Sequence, residues 1–291
     1  MQEGEKRARL YNVDKNVRPE ETVLTKDYYD KLALVSSGID TDWISKPVRN
    51  SFSHAHSISI SGRGSGLDYN VTGNYASNKG VMKGDTRDRY GMSIYLSYRA
   101  VKKLILTLRA SHEQVQIENS RYGSFDNYTQ ANPYDTPFDD MGNYKPFLSY
   151  NANNPLYEAS LSSFSKSETR KQVLSLNARY NFKPTLYVTA QGSYTTSRGT
   201  SDDYTSPKSN YFANITQLSQ KGSYMLGNTG MEEWNGKLVG NFIHNFDDDG
   251  TILTLNLGGE IKKTTSWSKT LSATGFLSDE MKDISYAISY P

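Results

Sequence analysis

The sequence predicts an all-β fold, an antiparallel up-and-down segment of a transmembrane β-barrel with about eight strands, an incomplete barrel, long external loops and one short N-terminal helix. Two patterns predict it. Stretches of roughly ten residues alternate apolar and polar side chains, and their connections alternate short and long. Residues 67–75 are the clearest stretch, with polar residues at even positions and, apart from Gly73, apolar or aromatic residues at odd ones. Such a strand has one apolar and one polar face.

The first predicted element is a helix. Apolar residues recur at helical spacing at Leu24, Tyr28, Leu32 and Val35. Thr25 is placed as an N-cap and Gly38 as a C-terminal stop, which predicts a helix of about three turns. Residues 39–53 are predicted to be an ordered linker that enters the first strand.

Eight strands follow from the alternation. They are predicted at 54–61, 67–78, 88–99, 103–118, 169–182, 185–198, 236–246 and 251–268. The seventh is the least regular, because Val239 and Ile243 fall on its supposed polar face. A barrel strand needs about 9–11 residues to cross the hydrocarbon layer, whereas strands of soluble proteins have a mode of about 5–6. The lengths therefore favour a membrane.

The connections separate into two classes. The short ones, rich in turn-forming residues, are 62–66, 100–102, 183–184 and 247–250. The long ones are 79–87, 119–168, 199–235 and the tail from residue 269. Outer-membrane barrels place short turns on the periplasmic rim and long loops outside. The alternation therefore assigns each connection to one side of the membrane.

Composition excludes several classes of protein. A mean hydropathy of −0.68, with no apolar run approaching the roughly 18 residues of a spanning helix, excludes a helical membrane protein. The absence of Cys excludes thiolate catalysis and zinc sites built on Cys. A net charge of +2 gives no indication of nucleic-acid binding. The 22 Tyr residues suit a membrane–water boundary, where the ring is in an apolar layer and the hydroxyl in water.

The apolar faces of these strands need an apolar partner. About five outward side chains on each of eight strands, at roughly 1.5–3 kcal/mol each, amount to about 60–120 kcal/mol. Lipid would supply that partner. The alternative is a soluble or surface-anchored β-sandwich, a carbohydrate-binding module whose two sheets cover each other.

Three groups of segments resemble the SusC/RagA-type TonB-dependent outer-membrane receptors of Bacteroidetes. They are 40–44 with 53–62, 75–85 leading to Arg89-Tyr90, and 132–144 with 154–156. The resemblance spans residues 40–270 and implies a fragment without a plug, located in the outer membrane. It implies an external segment at 1–53 with a short helix, a partial barrel at 54–270 and a truncated external loop at 271–291.

The resemblance also implies the function of the parent protein. Members are 22-stranded barrels with a plug domain, and they import glycans, oligosaccharides or peptides. Their partners are outer-membrane lipid, a lid-forming SusD-like lipoprotein and TonB, with no cofactor and no nucleic acid. The fragment alone is not expected to transport.

Aromatic residues in the predicted external loops are candidates for contact with a ligand or with the lid. The candidates are Tyr122, Phe125, Tyr128, Tyr134, Tyr144, Tyr204, Tyr211 and Trp234. Flat rings stack on sugars or peptides, and loops on a rigid scaffold are common binding sites. The alternative is that these rings pack loop on loop. Arg109, Arg179 and Glu260, on the predicted lumen face, are candidates for shaping the pore field or contacting the plug.

Other candidate sites have simpler explanations. His54 and His56 share a strand face but lack a third metal ligand, and the runs 135–143 and 247–250 are explained by turn chemistry. The pairs Asp202-Asp203 and Glu232-Glu233 are expected in solvated loops. The sequence therefore predicts no metal site, no catalytic residues and no enzyme activity.

Overall fold

The computed structural model describes residues 21–246 and 250–291. Its main element is an eight-stranded antiparallel sheet with the strands in chain order. The strands are β1 His54–Gly64, β2 Leu67–Lys79, β3 Thr86–Val101, β4 Leu104–Glu118, β5 Phe164–Lys183, β6 Leu186–Thr205, β7 Ser223–Asn245 and β8 Ile252–Thr274. The described helices are α1 Glu21–Ser36, α2 Asp126–Thr129 and α3 Pro155–Ser160, with short 3₁₀ turns at Ser149–Asn151, Asn210–Phe212, Leu218–Gln220 and Ile284–Tyr286. The predicted all-β, up-and-down sheet is confirmed.

Strand pairing fixes which side chains share a face of the sheet. Leu96 pairs with Leu108, which pairs with Leu176, so all three point to one side. We call this side the apolar face. The opposite side, called the polar face, carries Ser97 opposite Thr107 and Asn177 beyond it. The irregularity predicted for the seventh strand is real, because Val239 lies opposite Thr189 on the polar face.

The later strands are longer than predicted. β7 begins at Ser223 rather than at residue 236, and β5 begins at Phe164 rather than at residue 169. The prediction was wrong there because the alternation that defined it ends while the backbone pairing continues. On β5 the apolar face continues beyond the predicted start through Glu168 and Lys166, which carry no apolar signal.

Helix α1 also differs from its prediction. It begins at Glu21, so Thr25 lies inside the helix and is not its N-cap. The apolar spacing begins at Leu24, three residues after the first helical residue, and therefore cannot locate the helix start. The predicted stop is confirmed, since Gly38 has a φ of 73°, a left-handed conformation that suits glycine. No helix in the described part of the chain is long and apolar enough to cross a lipid bilayer.

The apolar face of the sheet is exposed over much of its area. Leu257, Ile261 and Ile58 expose 85%, 76% and 70% of their surface. A β-sandwich would bury these side chains against a second sheet. The sandwich hypothesis is therefore wrong for the described residues, which form a single sheet.

The described residues up to Arg49 form a compact unit with Tyr122–Ser160. Trp43 is buried at its centre, and its Nε1 donates a hydrogen bond to the carbonyl oxygen of Asn132 over 2.8 Å. The Thr41 hydroxyl donates to the Asp135 carbonyl, also over 2.8 Å. Two distant chain segments are thus joined by specific polar contacts around one large side chain.

Asn154 organises the same unit from inside. It is fully buried, and its Nδ2 donates to the carbonyl oxygens of Pro137 at 2.9 Å and Lys145 at 2.7 Å. Its Oδ1 accepts from the Leu156 backbone N–H at 3.1 Å. One side chain therefore satisfies three backbone groups that would otherwise be buried without partners.

The sheet has its own core at the long-loop ends of β6 to β8, made of Tyr204, Tyr224, Ala273 and Phe276. The chain after β8 folds back over it. The N–H of Phe276 donates to the Lys221 carbonyl at 2.9 Å, and Ser289 pairs with Thr274. The Tyr204 hydroxyl donates to the carbonyl of Asp279 at 3.5 Å. Residues 275–291 therefore cover an apolar patch at the end of the sheet.

We expect Asn154→Ala to loosen the unit of residues 122–160. Three buried backbone groups would lose their partner, at a cost of at least about 2 kcal/mol. Native-state proteolysis of this segment should become about tenfold faster or more. Asn153→Ala, which changes an exposed neighbour, is the matched control. Equal cleavage rates for the two variants would contradict the role given to Asn154.

We also expect the docking of residues 275–291 to weaken at alkaline pH. Burial, with the charge of Asp279 second, raises the pKa of Tyr204 to about 12. Burial likewise raises the pKa of Tyr224 above its usual value. Between pH of about 10 and about 12, Tyr204 and Tyr224 lose their phenolic protons when residues 275–291 are undocked but keep them when this segment is docked. Docking therefore becomes less favourable as pH rises.

Subtilisin cleavage of residues 275–291, measured from about pH 9 to about pH 11 and normalised to a small peptide substrate, would report this loss of docking. Tyr204→Phe should remove part of the pH dependence and Tyr204→Phe with Tyr224→Phe most of it. An unchanged pH slope in the double variant would show that other groups control docking.

Candidate functional site

Aromatic side chains mark two levels on the apolar face. At the upper level, towards the long connections, the rings of Tyr75 and Tyr90 are 5.0 Å apart and those of Tyr194 and Trp234 are 4.4 Å apart. We call these four residues the upper aromatic row. The lower aromatic row, towards the short turns, consists of Tyr98, Tyr180 and Phe242. Between the rows the face is aliphatic, as at Leu96, Leu108 and Leu176.

The two rows slant across the strands by the same amount. Following the pairing from Tyr90 on β3 leads to Gly230 on β7, and Trp234 lies four residues further along. Following it from Tyr98 leads to Leu238, and Phe242 again lies four residues further. The rows are therefore parallel, and each descends by one residue per strand.

This slant has the geometry of a barrel wall. One residue of about 3.3 Å per strand spacing of about 4.8 Å corresponds to a tilt of about 35°. The rows are eight residues apart on β3, from Tyr90 to Tyr98, and eight apart on β7, from Trp234 to Phe242. After correction for tilt, that is a band about 22 Å high. Transmembrane barrels have strands tilted by about 35–45° and an aromatic-edged apolar band of about 25 Å.

The polar face is covered by side chains that bind one another. Asp68 accepts from Arg63 Nε at 2.5 Å and from Arg99 Nη2 at 2.9 Å, so one carboxylate joins three strands. Arg89 pairs with Glu113 at 3.0 Å. Charged groups of both signs on this face are what a water-filled lumen permits and lipid does not.

The three predicted lumen residues lie on this polar face. The guanidinium of Arg179 stacks over the Tyr187 ring at 3.7 Å, and Arg109 lies 5.3 Å from the centroid of Tyr95. Glu260 accepts a hydrogen bond from Asn235 at 2.6 Å. Each is therefore held by a neighbouring strand. Their effect on a pore field or a plug stays a prediction.

The loop aromatics of residues 122–160 divide into buried and accessible rings. Tyr128 is 1% exposed, and its hydroxyl donates to the Pro155 carbonyl at 3.3 Å. Burial, with Tyr122 and Tyr144 as lesser causes, raises the pKa of Tyr128 well above its usual value. Phe125 is 39% exposed, and Tyr144 is 38% exposed although it stacks on Phe138. Tyr122 and Tyr134 are half-buried.

The candidates of the sheet unit divide in the same way. Tyr204 is 1% exposed and belongs to the core described above, whereas Tyr211, in the connection after β6, is 81% exposed. Trp234 lies within β7 in the upper aromatic row and Tyr204 lies within β6, so the predicted loop location was wrong for both. Ligand or lid contact by any of these residues stays a prediction, and exposure favours Phe125, Tyr144 and Tyr211.

The candidate metal ligands are otherwise engaged. The rings of His54 and His56 are 5.1 Å apart, and His54 lies 5.6 Å from Tyr75 at the level of the upper aromatic row. The carboxylate of Asp139 accepts the N–H groups of Met141 and Asn143 in a turn. The described residues hold no group of three or more His, Asp or Glu placed to bind a metal ion. Residues 247–249 lie outside the described part of the chain.

The two carboxylate pairs lie in strands, not in the loops that were predicted. Asp202 and Asp203 are successive residues of β6, and Glu232 and Glu233 are successive residues of β7. Successive side chains of a strand point to opposite faces. Neither pair can therefore work as two carboxylates on one substrate.

The fold is shared with solved structures of a peptide transporter. Structures described as the RagAB peptide transporter, and as the RagAB peptide importer in its "closed-closed" and "open-open" states, align with TM-scores of 0.70 at 17%, 17% and 18% sequence identity. The alignments cover 86% to 87% of this chain and 28% to 29% of those chains. This chain therefore spans less than a third of their length. It matches no protein-family model and no curated protein sequence. The likeness establishes a common fold.

Proposed function

We propose that this chain forms part of the barrel wall of an outer-membrane, TonB-dependent receptor of the SusC/RagA type. The observation that supports this most strongly is the apolar band, bounded by two parallel aromatic rows that slant by one residue per strand. A soluble protein has no reason to keep such a band level across strands. The shared fold with the RagAB structures supports the same assignment.

In this proposal the two faces of the sheet contact different media. The apolar face contacts lipid, and the polar face lines a water-filled interior in which a plug domain would sit. The strands continue beyond the upper aromatic row, from Tyr194 to Thr205 on β6, which amounts to about 30 Å above the boundary. The ladder therefore carries the long connections well outside the membrane.

The proposed cargo is a peptide or an oligosaccharide, and the likeness to a peptide importer favours a peptide. The proposed partners are a SusD-like lipoprotein that covers the outside and TonB, which supplies energy from the inside. Tyr211, Phe125 and Tyr144 present accessible rings for the cargo or the lid. Tyr128 and Tyr204 hold the loops in shape from within.

We expect Leu176→Arg to prevent stable insertion into a bilayer. Leu176 lies midway between the level of Tyr180 and the boundary level at Gln172, so its replacement places a charge at the centre of the band. The expected cost is about 2–4 kcal/mol. Urea unfolding in lipid vesicles measures it. Asn177→Arg, one residue along on the polar face, is the matched control. Equal destabilisation by the two variants would contradict a lipid-facing band.

We expect Tyr211→Ala to weaken binding of the cargo without affecting folding. Loss of one stacked ring corresponds to about 0.5–1.5 kcal/mol, or roughly a twofold to tenfold rise in Kd. Uptake of peptides from a casein digest by cells that carry the whole receptor, with and without a protonophore, would test both the site and the energised import. Tyr204→Phe, which keeps the buried ring, is the control. Uptake that does not depend on the receptor would overturn the proposed transport.

A further inference from the structure

Two arginines lie directly opposite each other on the apolar face above the band. Arg170 on β5 pairs with Arg198 on β6, so both side chains point to the same side of the sheet as Leu176. Both are exposed. Like charges directly opposite on neighbouring strands are destabilising. A negative group between them would offset this repulsion.

The protein neutralises this pair only in part. Arg170 Nε contacts Glu168 Oε1, and the other oxygen of Glu168 accepts from Gln116 at 3.0 Å. Within the described residues, Arg198 makes neither an ion pair nor a hydrogen bond through its guanidinium. Opposite Arg198 on β7 lies Gly230, which offers no side chain, and the exposed Glu232, two residues further on the same face, makes no ion pair with Arg198. The guanidinium of Arg198 is therefore available to a negative group on the lipid side.

Arg170 lies at the height of the head-group layer, and Arg198 lies at its outer edge. The slant of the upper aromatic row places the membrane boundary at Gln172 on β5 and close to Tyr194 on β6. Arg170 is two residues above that boundary, a rise of about 5 Å, and Arg198 lies about 8–11 Å above it. The head-group layer is about 5–8 Å thick on each side of the hydrocarbon. Arginine side chains extend readily within it.

An apolar groove begins just below the pair. It has a volume of about 320 Å³ and is lined by Met92, Ile94, Ala110, Leu174 and Tyr194. Ala110 lies in one row between Ile94 and Leu174, so a small side chain forms the floor between two large ones. The polar upper end of the groove consists of His112 and Gln172, whose side chains are 3.4 Å apart. Gln172 is the neighbour of Arg170 on the same face of β5.

We propose that this surface binds a phosphorylated, acylated lipid of the outer leaflet, with the phosphate between Arg170 and Arg198 and an acyl chain in the groove. The proposal rests on the membrane location proposed above. A guanidinium pair matches the geometry and charge of a phosphate, and the groove matches an unbranched hydrocarbon. A zwitterionic lipid would gain less, because its own cation competes for the phosphate.

The test compares lipid retention by the full protein in nanodiscs. Discs of phosphatidylcholine contain a minor fraction of diphosphorylated lipid A, and native mass spectrometry measures the lipid that remains after transfer to detergent. Arg198→Gln should lower lipid A retention about tenfold, and Arg170→Gln with Arg198→Gln should lower it further. Lys171→Gln removes the same charge from the polar face and should have no effect. Retention that is equal in Lys171→Gln and the double variant would overturn the proposal.

Two further arms test the lipid itself. Ala110→Phe fills the groove and leaves both arginines, so it should also reduce lipid A retention. Inorganic phosphate added to discs of pure phosphatidylcholine should bind weakly. If Ala110→Phe leaves lipid A retention unchanged and inorganic phosphate competes with lipid A on equal terms, the surface is an anion site that does not bind a lipid, and the proposal is wrong.

Leu176→Arg separates the proposed membrane location from the proposed lipid site, since a chain that is not inserted in lipid would tolerate this substitution. If Leu176→Arg blocks reconstitution while the arginine variants keep lipid A, only the lipid site is wrong.

Discussion

A strand inside lipid must find every backbone hydrogen bond within the sheet, because no water is present to replace a missing partner. This requirement explains why the pairing of β5 with β6 continues from Tyr204 to Leu186 with one irregularity, which lies next to the short turn. Continuous pairing fixes the register, and the register fixes which side chains share a face. The apolar band is then a property of eight strands together. A slip of one residue in any strand would exchange its lipid-facing and lumen-facing sets.

The same paired strands pass through two environments. Below the upper aromatic row they present apolar side chains to lipid and polar side chains to the interior. Above that row both faces meet water, and the strands are stabilised by their pairing and by the core around Tyr204 and Phe276. That core stiffens the ends from which the connections emerge. The unit around Trp43 and Asn154 obtains its order from buried polar contacts instead.

The sequence predicted the part of the fold that alternation encodes. At the short-turn ends the predictions are accurate, since β4 begins at Leu104 and β6 at Leu186, one residue from each prediction. At the opposite ends they are accurate for β2 and β4, which end at Lys79 and Glu118, but too short for β5 to β8. Residues such as Glu168 and Asp202 interrupt the apolar alternation there while the pairing continues. That error also misplaced Trp234 in a loop. The role of Asn154 could not be predicted, because its partners Pro137 and Lys145 lie far along the chain and no periodic pattern links them.

The vertical position of the sheet is itself specified by the order of residues on one face. From the short turn outwards, β5 presents Phe182, Tyr180, Ala178, Leu176 and Leu174, then Gln172 and Arg170. A shift of two residues into the membrane would bring Arg170 to the hydrocarbon boundary, and a shift of two residues outward would raise Leu174 to that boundary and carry the hydroxyl of Tyr180 into the hydrocarbon. Each strand adds its own small cost for such a shift, because charged groups become more expensive with depth. The summed preference holds the wall at one height, so the aromatic rows and the arginine pair keep their levels without any contact that fixes them individually.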